Sequence, residues 1–171
     1  MRTIVYDIPM TTRFRGITRR HGMLLQGPQE WAEWSPFPEY DDATAARWLQ
    51  AALEIARSGL PEARRSSIPV NAIVSAVVPD VAAARVLEAG CDTVKVKVAE
   101  PGETLTDDLA RVEAVREALG PRGSIRVDAN MAWGPDSAFD ALRELSHFGL
   151  EYAEQPCRTV QELGELRHRL D

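Results

Sequence analysis

The sequence has few cysteines, no excess of basic charge and no long apolar run, and each shortage removes a class of protein. Its two cysteines, Cys91 and Cys157, are too few and too far apart for a disulfide framework, and neither stands in a paired metal-binding spacing. Both are expected to be reduced and mostly buried. Lys and Arg number 20 against 26 Asp and Glu, for a net charge of -6 and a pI of about 5.2, so no broad basic surface awaits nucleic acid. A small-molecule substrate is the better default. No run approaches the ~20 apolar residues of a membrane span, and the opening MRTIVYDIPMTTRFRG lacks the apolar core of a signal peptide. The expected location is the cytoplasm, with neither membrane nor nucleic acid as partner. Internal repeats and low-complexity tracts are also missing, and no Gly-x-Gly-x-x-Gly or phosphate-loop motif follows any expected strand, which removes the usual signature of a nucleotide-binding sheet.

What is present divides in two near LPEARRSSIP, a linker-like stretch ending at Pro69. Residues 1–66 read as a small α+β domain, with short strands at Thr3 to Ile8 and Met23 to Leu25. A helix follows Asp42, carrying Ala45, Trp48, Leu49, Ala52, Leu53 and Ala56 on one face. Residues 67–171 alternate β-rich runs with helical patterns. Strands are expected at Val70 to Val77, Thr93 to Val98, Ile125 to Asp128 and Leu150 to Glu154. Val81, Ala84 and Leu87 mark one helix ending at Gly90, and Leu105, Leu109, Val112, Val115 and Leu119 a second ending at Gly120. A third runs from Asp136 through Leu145 to Gly149. Thr159 to Glu162 has the form of a capping box opening a last helix with Leu163, Leu166 and Leu170. Alternating strand and helix predicts a parallel sheet, either half of an eight-stranded barrel or the front of an open doubly wound sheet.

Polar chemistry collects at the strand ends. Residues two apart share a face of a strand, so VKVKV sets Lys95 and Lys97 on one side and Val94, Val96 and Val98 on the other. A lone Lys-x-Lys is also what a solvated edge strand carries. The following strands end in IRVDAN, with Asp128 and Asn130 on one face, and YAEQPC, with Tyr152 and Glu154 on one face. Taken singly, such carboxylates often cap a helix or pair with an arginine. In a parallel barrel, however, all strand C-termini lie on one rim, so Lys97, Asp128 and Glu154 can face one small volume. Two carboxylates beside two lysines suit a hard divalent cation with oxygen ligands, Mg²⁺ rather than Zn²⁺, because no His or Cys shares the rim. His21, His147 and His168 read as ordinary surface or helix residues.

Lys95-Val96-Lys97, Asp128-Ala129-Asn130-x-x-Trp133 and Glu154-Gln155-Pro156-Cys157 together resemble the Lys-x-Lys, Asp-x-Asn and Glu-x-Pro signatures of the enolase superfamily, in the same order and on strands. TRFRGIT (Thr12 to Thr18) and EWSPFPEY (Glu33 to Tyr40) resemble the actinobacterial type of its o-succinylbenzoate synthase family. The resemblance covers nearly the whole chain. It implies an enolase-like α/β fold, a small capping domain followed by the first four β/α units of a TIM-type barrel. It also implies Mg²⁺ as cofactor, Asp128 and Glu154 as metal ligands, Lys97 as base and Lys95 as its electrostatic neighbour. The implied reaction is syn dehydration of a 2-succinyl-6-hydroxy-cyclohexadiene carboxylate in menaquinone biosynthesis. Asn130 and the loop residues Arg13 and Arg15 are implied substrate contacts, a loop arginine meeting the substrate's carboxylate; Arg13 and Arg15 are equally readable as a solvated basic loop, and Trp133 reads as packing beside the rim.

The family's third acidic ligand and facing lysine belong to its fifth and sixth barrel strands, beyond Asp171. The chain by itself is therefore expected to lack synthase activity and to self-associate or pair with a C-terminal half. Two other readings stand beside the synthase: an N-acylamino-acid racemase or dipeptide epimerase of the same superfamily, and a non-catalytic half-barrel that needs a partner chain.

Overall fold

The computed structural model describes Met1 to Leu170; Asp171, the last residue of the sequence, lies outside the described residues. The chain divides into two compact units, Met1–Ile68 and Pro69–Asp171.

In the first unit β1 (Arg2–Phe14) turns through Arg15 and Gly16 into β2 (Ile17–Gln26), which pairs with β3 (Trp31–Trp34); both pairings are antiparallel. The turn takes positive φ at both of its residues, 48° at Arg15 and 78° at Gly16, the geometry that fits the twist of a tight hairpin. Helix α1 (Asp42–Ser58) is capped by Asp41, whose carboxylate accepts from the Thr44 amide at 2.7 Å. It buries Ala52 and Ala56 with Leu25 and Ala32 of the sheet. Gly27 is required at this seam, since a Cβ there would stand 1.9 Å from the Ala56 carbonyl oxygen. The strands run well past the expected Thr3 to Ile8 and Met23 to Leu25, and β3 was not expected at all. Trp48 is also displaced from its expected place on the packed face: it is 57% exposed and stacks on Tyr40, ring centroids 5.9 Å apart. Small Ala52 and Ala56 let the helix approach the sheet more closely than an indole would.

The second unit runs β4 (Ala72–Val74), α2 (Pro79–Ala89), β5 (Thr93–Lys97), α3 (Leu105–Leu119), β6 (Ser124–Asp128), α4 (Pro135–Leu145), a 3₁₀ turn (Ser146–Phe148), β7 (Leu150–Glu154) and α5 (Val160–Leu170). The strands form one parallel sheet in the order β4-β5-β6-β7. Val94, Val96, Val98, Ile125 and Val127 pack with Ala82 and Val86 of α2, Val112 and Val115 of α3, and Leu142 and Leu145 of α4. Burying the Val, Ile and Leu side chains among these is worth on the order of 1.5–3 kcal/mol each, which makes this face the main source of the unit's stability. The capping box at Thr159 and Glu162 forms, each side chain meeting the other's amide, at 3.2 and 2.8 Å.

Two expectations for this unit are corrected. The first strand spans three residues rather than Val70 to Val77, because after Val74 the chain leaves the ladder and the Val77 carbonyl accepts instead from Arg111, at 2.8 Å. Helix α2 buries Ala82 and Val86, not Val81, Ala84 and Leu87; Leu87 is 70% exposed. The small alanine brings the helix close to the sheet and rotates the larger residues outward. Both cysteines are unpaired, with Cys157 buried and Cys91 only half-buried. Among the described residues no helix is long and apolar enough to cross a membrane.

Candidate active site

Strand register assembles the candidate site. Lys97 lies opposite Asp128 and Asp128 opposite Glu154; one step back, Lys95 lies opposite Arg126 and Arg126 opposite Tyr152. Strand alternation sends these six side chains to the face away from the helices, since Val94, Val96, Ile125 and Val127 fill the helix-packed core. Lys97 Nζ donates to Asp128 Oδ2 at 2.5 Å and to Asn130 Oδ1 at 2.7 Å. Lys95 Nζ lies 3.1 Å from the same Asp128 oxygen and 3.0 Å from Glu154 Oε2. Lys95, Lys97, Asp128, Glu154 and Asn130 thus form one connected network at the C-terminal ends of three consecutive strands.

Burial makes the network electrostatically consequential. Lys97 is 7% exposed and Asp128 1%, and an unpaired charge at that depth costs several kcal/mol. Burial pushes the Asp128 carboxyl up, but the Lys97 hydrogen bond, the Asn130 amide and the attraction of both lysines outweigh it and hold its pKa below the ordinary carboxylate value. Burial likewise disfavours the Lys95 ammonium, yet its bonds to Glu154 and Asp128 prevail and raise its pKa. Backbone conformation is unusual just past each strand: Ala99, Asn130, Met131 and Gln155 all have positive φ, between 43° and 66°. Non-glycine residues in that region carry strain that the surroundings must support.

The remaining candidates lie elsewhere. Arg15, at the β1–β2 turn of the first unit, stacks over Phe37 at 4.1 Å and pairs with Glu39 at 2.9 Å. Arg13, two residues earlier, is exposed. Trp133 packs against the core of the second unit and its amide donates to Pro156, at 3.2 Å. His21 neighbours Asp7 at 3.2 Å, and all three histidines are exposed.

Sequence reasoning passed over Arg126, which lies over the Tyr152 ring at 5.0 Å and bonds Glu151 and Asn71. It also passed over the buried Asp108–Arg111 pair on α3. One signal went unused: of the 20 basic residues only Lys95 and Lys97 are lysines, all others being arginine. A chain that uses arginine everywhere else keeps its two compact ammoniums for one place.

Among the described residues no three His, Cys, Asp or Glu gather to hold a metal ion. What the chain offers is two carboxylates on adjacent strands, hard oxygen donors with no sulfur or imidazole among them. That donor chemistry fits Mg²⁺, which is commonly held by one or two carboxylates and keeps several waters.

A parallel β/α sheet with lysines and carboxylates gathered at its strand ends defines a barrel-type protein with a charged rim. The chain belongs to the enolase-like family: residues 78–171 match the model described as enolase C-terminal domain-like, and residues 5–56 the one described as enolase N-terminal domain-like. It is 54% identical over 165 residues to an o-succinylbenzoate synthase from Thermobifida fusca, and 49% identical over 176 residues to one from Mycobacterium tuberculosis. These alignments cover 96% and 99% of this chain but 52% of each relative, so the chain spans about half the length of the curated relatives it matches. Among solved structures it is similar to an N-succinyl Arg/Lys racemase from Bacillus cereus, with TM-score 0.77 and 17% identity, covering 99% of this chain and 62% of that one. A dipeptide epimerase from Enterococcus faecalis complexed with Mg and L-Leu-L-Tyr gives TM-score 0.75 at 20% identity, covering 98% and 64%. An o-succinylbenzoate synthase from Thermosynechococcus elongatus with Mg in the active site gives 0.61 at 21%, covering 98% and 65%. At such identities the structures speak for the fold alone.

Proposed function

We propose that this chain carries the catalytic lysines and two metal ligands of a Mg²⁺-dependent o-succinylbenzoate synthase, a dehydratase acting on a 2-succinyl-6-hydroxy-cyclohexadiene carboxylate in menaquinone biosynthesis. The observation that carries the reading is the Lys97–Asp128–Glu154 row with Lys95 beside it, in a chain about half identical to synthases along nearly all its length. Relatives of that identity favour this activity over a racemase or epimerase, whose structural likeness rests on 17–20% identity. A cytoplasmic setting fits the two unpaired thiols.

In this reading Asp128 and Glu154 hold the cation. Mg²⁺ bound there would supply counter-charge for the negative charge that builds on the substrate carboxylate as its α-proton leaves. Lys97 takes that proton on Nζ, then gives it to the departing hydroxyl, so the C–O bond breaks and water leaves from the same face. Lys95 adds positive charge beside the base, and Asn130 holds the Lys97 ammonium through Oδ1. Arg13 is the better candidate of the loop arginines for a substrate carboxylate, since the Arg15 guanidinium is already committed to Phe37 and Glu39.

The test is to purify the full-length gene product and follow dehydration with added Mg²⁺ and after chelation. Mg²⁺-dependent turnover that falls roughly 10²- to 10⁴-fold in Lys97→Ala is expected. Turnover near wild type in that variant, or full activity in chelator, would overturn the reading.

A further inference from the structure

The C-terminal end of β5 is fastened by an ion pair on α3. Arg111 is 1% exposed and Asp108 2%, and Arg111 Nη1 donates to Asp108 Oδ1 at 2.8 Å. Both side chains also bind backbone. Arg111 Nη1 donates to the Lys97 carbonyl at 3.0 Å and Nε to the Val77 carbonyl at 2.8 Å, while Nη2 pairs with Glu103. Asp108 Oδ2 accepts from the Ala99 amide at 2.9 Å. One planar guanidinium therefore ties the segment after β4 to the last residue of β5 and to the β5–α3 loop. Its carboxylate partner supports Ala99 in a left-handed conformation, φ 59°, that disfavours any residue with a Cβ.

Stability does not explain this choice of residues. A well-packed apolar pair of similar volume holds a helix to a sheet at least as well as a buried ion pair does. What apolar side chains cannot do is bond the carbonyl of Lys97 and the amide two residues on. Lysine cannot replace Arg111 either, because a single ammonium lacks the rigid fork that reaches one carbonyl in the segment after β4 and another at the end of β5.

We propose that Asp108 and Arg111 are positioning residues that fix the backbone of Lys97, and through it the Nζ, for proton transfer. The proposal rests on Lys97 being the base. A misplacement of about 1 Å costs a reacting group on the order of 10²-fold in rate, so the clamp acts on kcat.

The experiment compares Arg111→Lys, Asp108→Asn and Val112→Ala in the full-length gene product. Val112 is fully buried on the same helix without polar partners, so it reports destabilisation alone. Arg111→Lys should lower kcat roughly 10- to 100-fold with KM within about threefold, while Val112→Ala lowers Tm and leaves kcat unchanged. Protein labelled with ¹⁵N-lysine gives a second readout independent of activity, its Lys97 amide signal assigned by its loss in Lys97→Arg. That signal should move in Arg111→Lys and stay in Val112→Ala. If Arg111→Lys does not fold, Asp108→Asn is read by the same two quantities. Wild-type kcat in a folded clamp variant, or an unmoved Lys97 signal, overturns the proposal. If the wild type shows no dehydration, the functional reading fails and the Lys97 signal alone decides whether the clamp holds.

Discussion

The pairs Asp7–Arg19 and Asp108–Arg111 have the same partners at the same separation, 2.8 Å, yet they face opposite electrostatic conditions. Asp7 and Arg19 bridge β1 and β2 with both side chains half-exposed. The Arg19 hydrogen bond is the chief influence on Asp7 and holds its carboxyl below the ordinary value, with help from the charges of Arg19 and His21. For Asp108 burial is the chief influence and pushes the carboxyl up, although the Ala99 amide and Arg111 pull the other way and Glu103 adds to the rise. An arginine partner thus fixes neither the sign of the shift nor the worth of the pair. Water does, through what the carboxylate gives up on folding.

The comparison breaks most visibly under truncation. Asp108→Ala leaves the Arg111 guanidinium buried without its carboxylate and should cost about 3–5 kcal/mol of stability in denaturant unfolding of the full-length gene product. A loss below about 1 kcal/mol would mean the interior pair behaves like a surface one.

Acid sharpens the contrast by sign. Because the folded pKa of Asp108 is raised, the folded state holds its proton more tightly; stability falls as pH climbs from the ordinary carboxylate value through the raised one. Asp108→Asn should remove that slope. Asp7 does the reverse: its contribution is present above the ordinary value and is lost as pH falls through its depressed folded pKa, a slope that Asp7→Asn should remove. Unfolding midpoints measured from pH 3 to 7 for wild type and both variants test this, and slopes of one sign would contradict it.

The caps follow the Asp7 pattern. Asp41, Asp107 and Glu162 are held low by hydrogen bonds at helix starts, so Asp107→Ala should lower Tm at neutral pH by more than at pH 3. The smallest effect is expected for Asp7→Asn at neutral pH and 0.15 M salt, where the thermal midpoint should fall by less than in Asp107→Ala or Asp108→Ala.

How much of this could be read beforehand depended on whether the cause was local. VKVKV, IRVD and LEYAE announce their two faces by alternation, and TVQE announces its cap, because in each the partners lie within four residues. β3 was hidden because Trp31–Trp34 is short, lies between Pro28 and Pro36, and exists only by pairing with β2. Arg111 and Asp108 stand three apart on a helix, and nothing local says that Val77, Lys97 and Ala99 close over them. Leu87 shares a helical spacing with Val81 and Ala84, whereas α2 packs through Ala82 and Val86. The rim was legible as a set of strand ends, but the hydrogen bonds joining Lys95 to both carboxylates depend on register between strands.

The confinement of lysine to positions 95 and 97 also shapes how the chain meets electrophiles. Apart from the amino group of Met1, an amine-directed acylating reagent finds only these two side chains, which are largely withdrawn from solvent and held by carboxylates. Acylation of this chain at pH 8 should therefore be slow away from Met1, and protection of the lysines by a bound ligand would be visible by mass spectrometry without interference from surface amines.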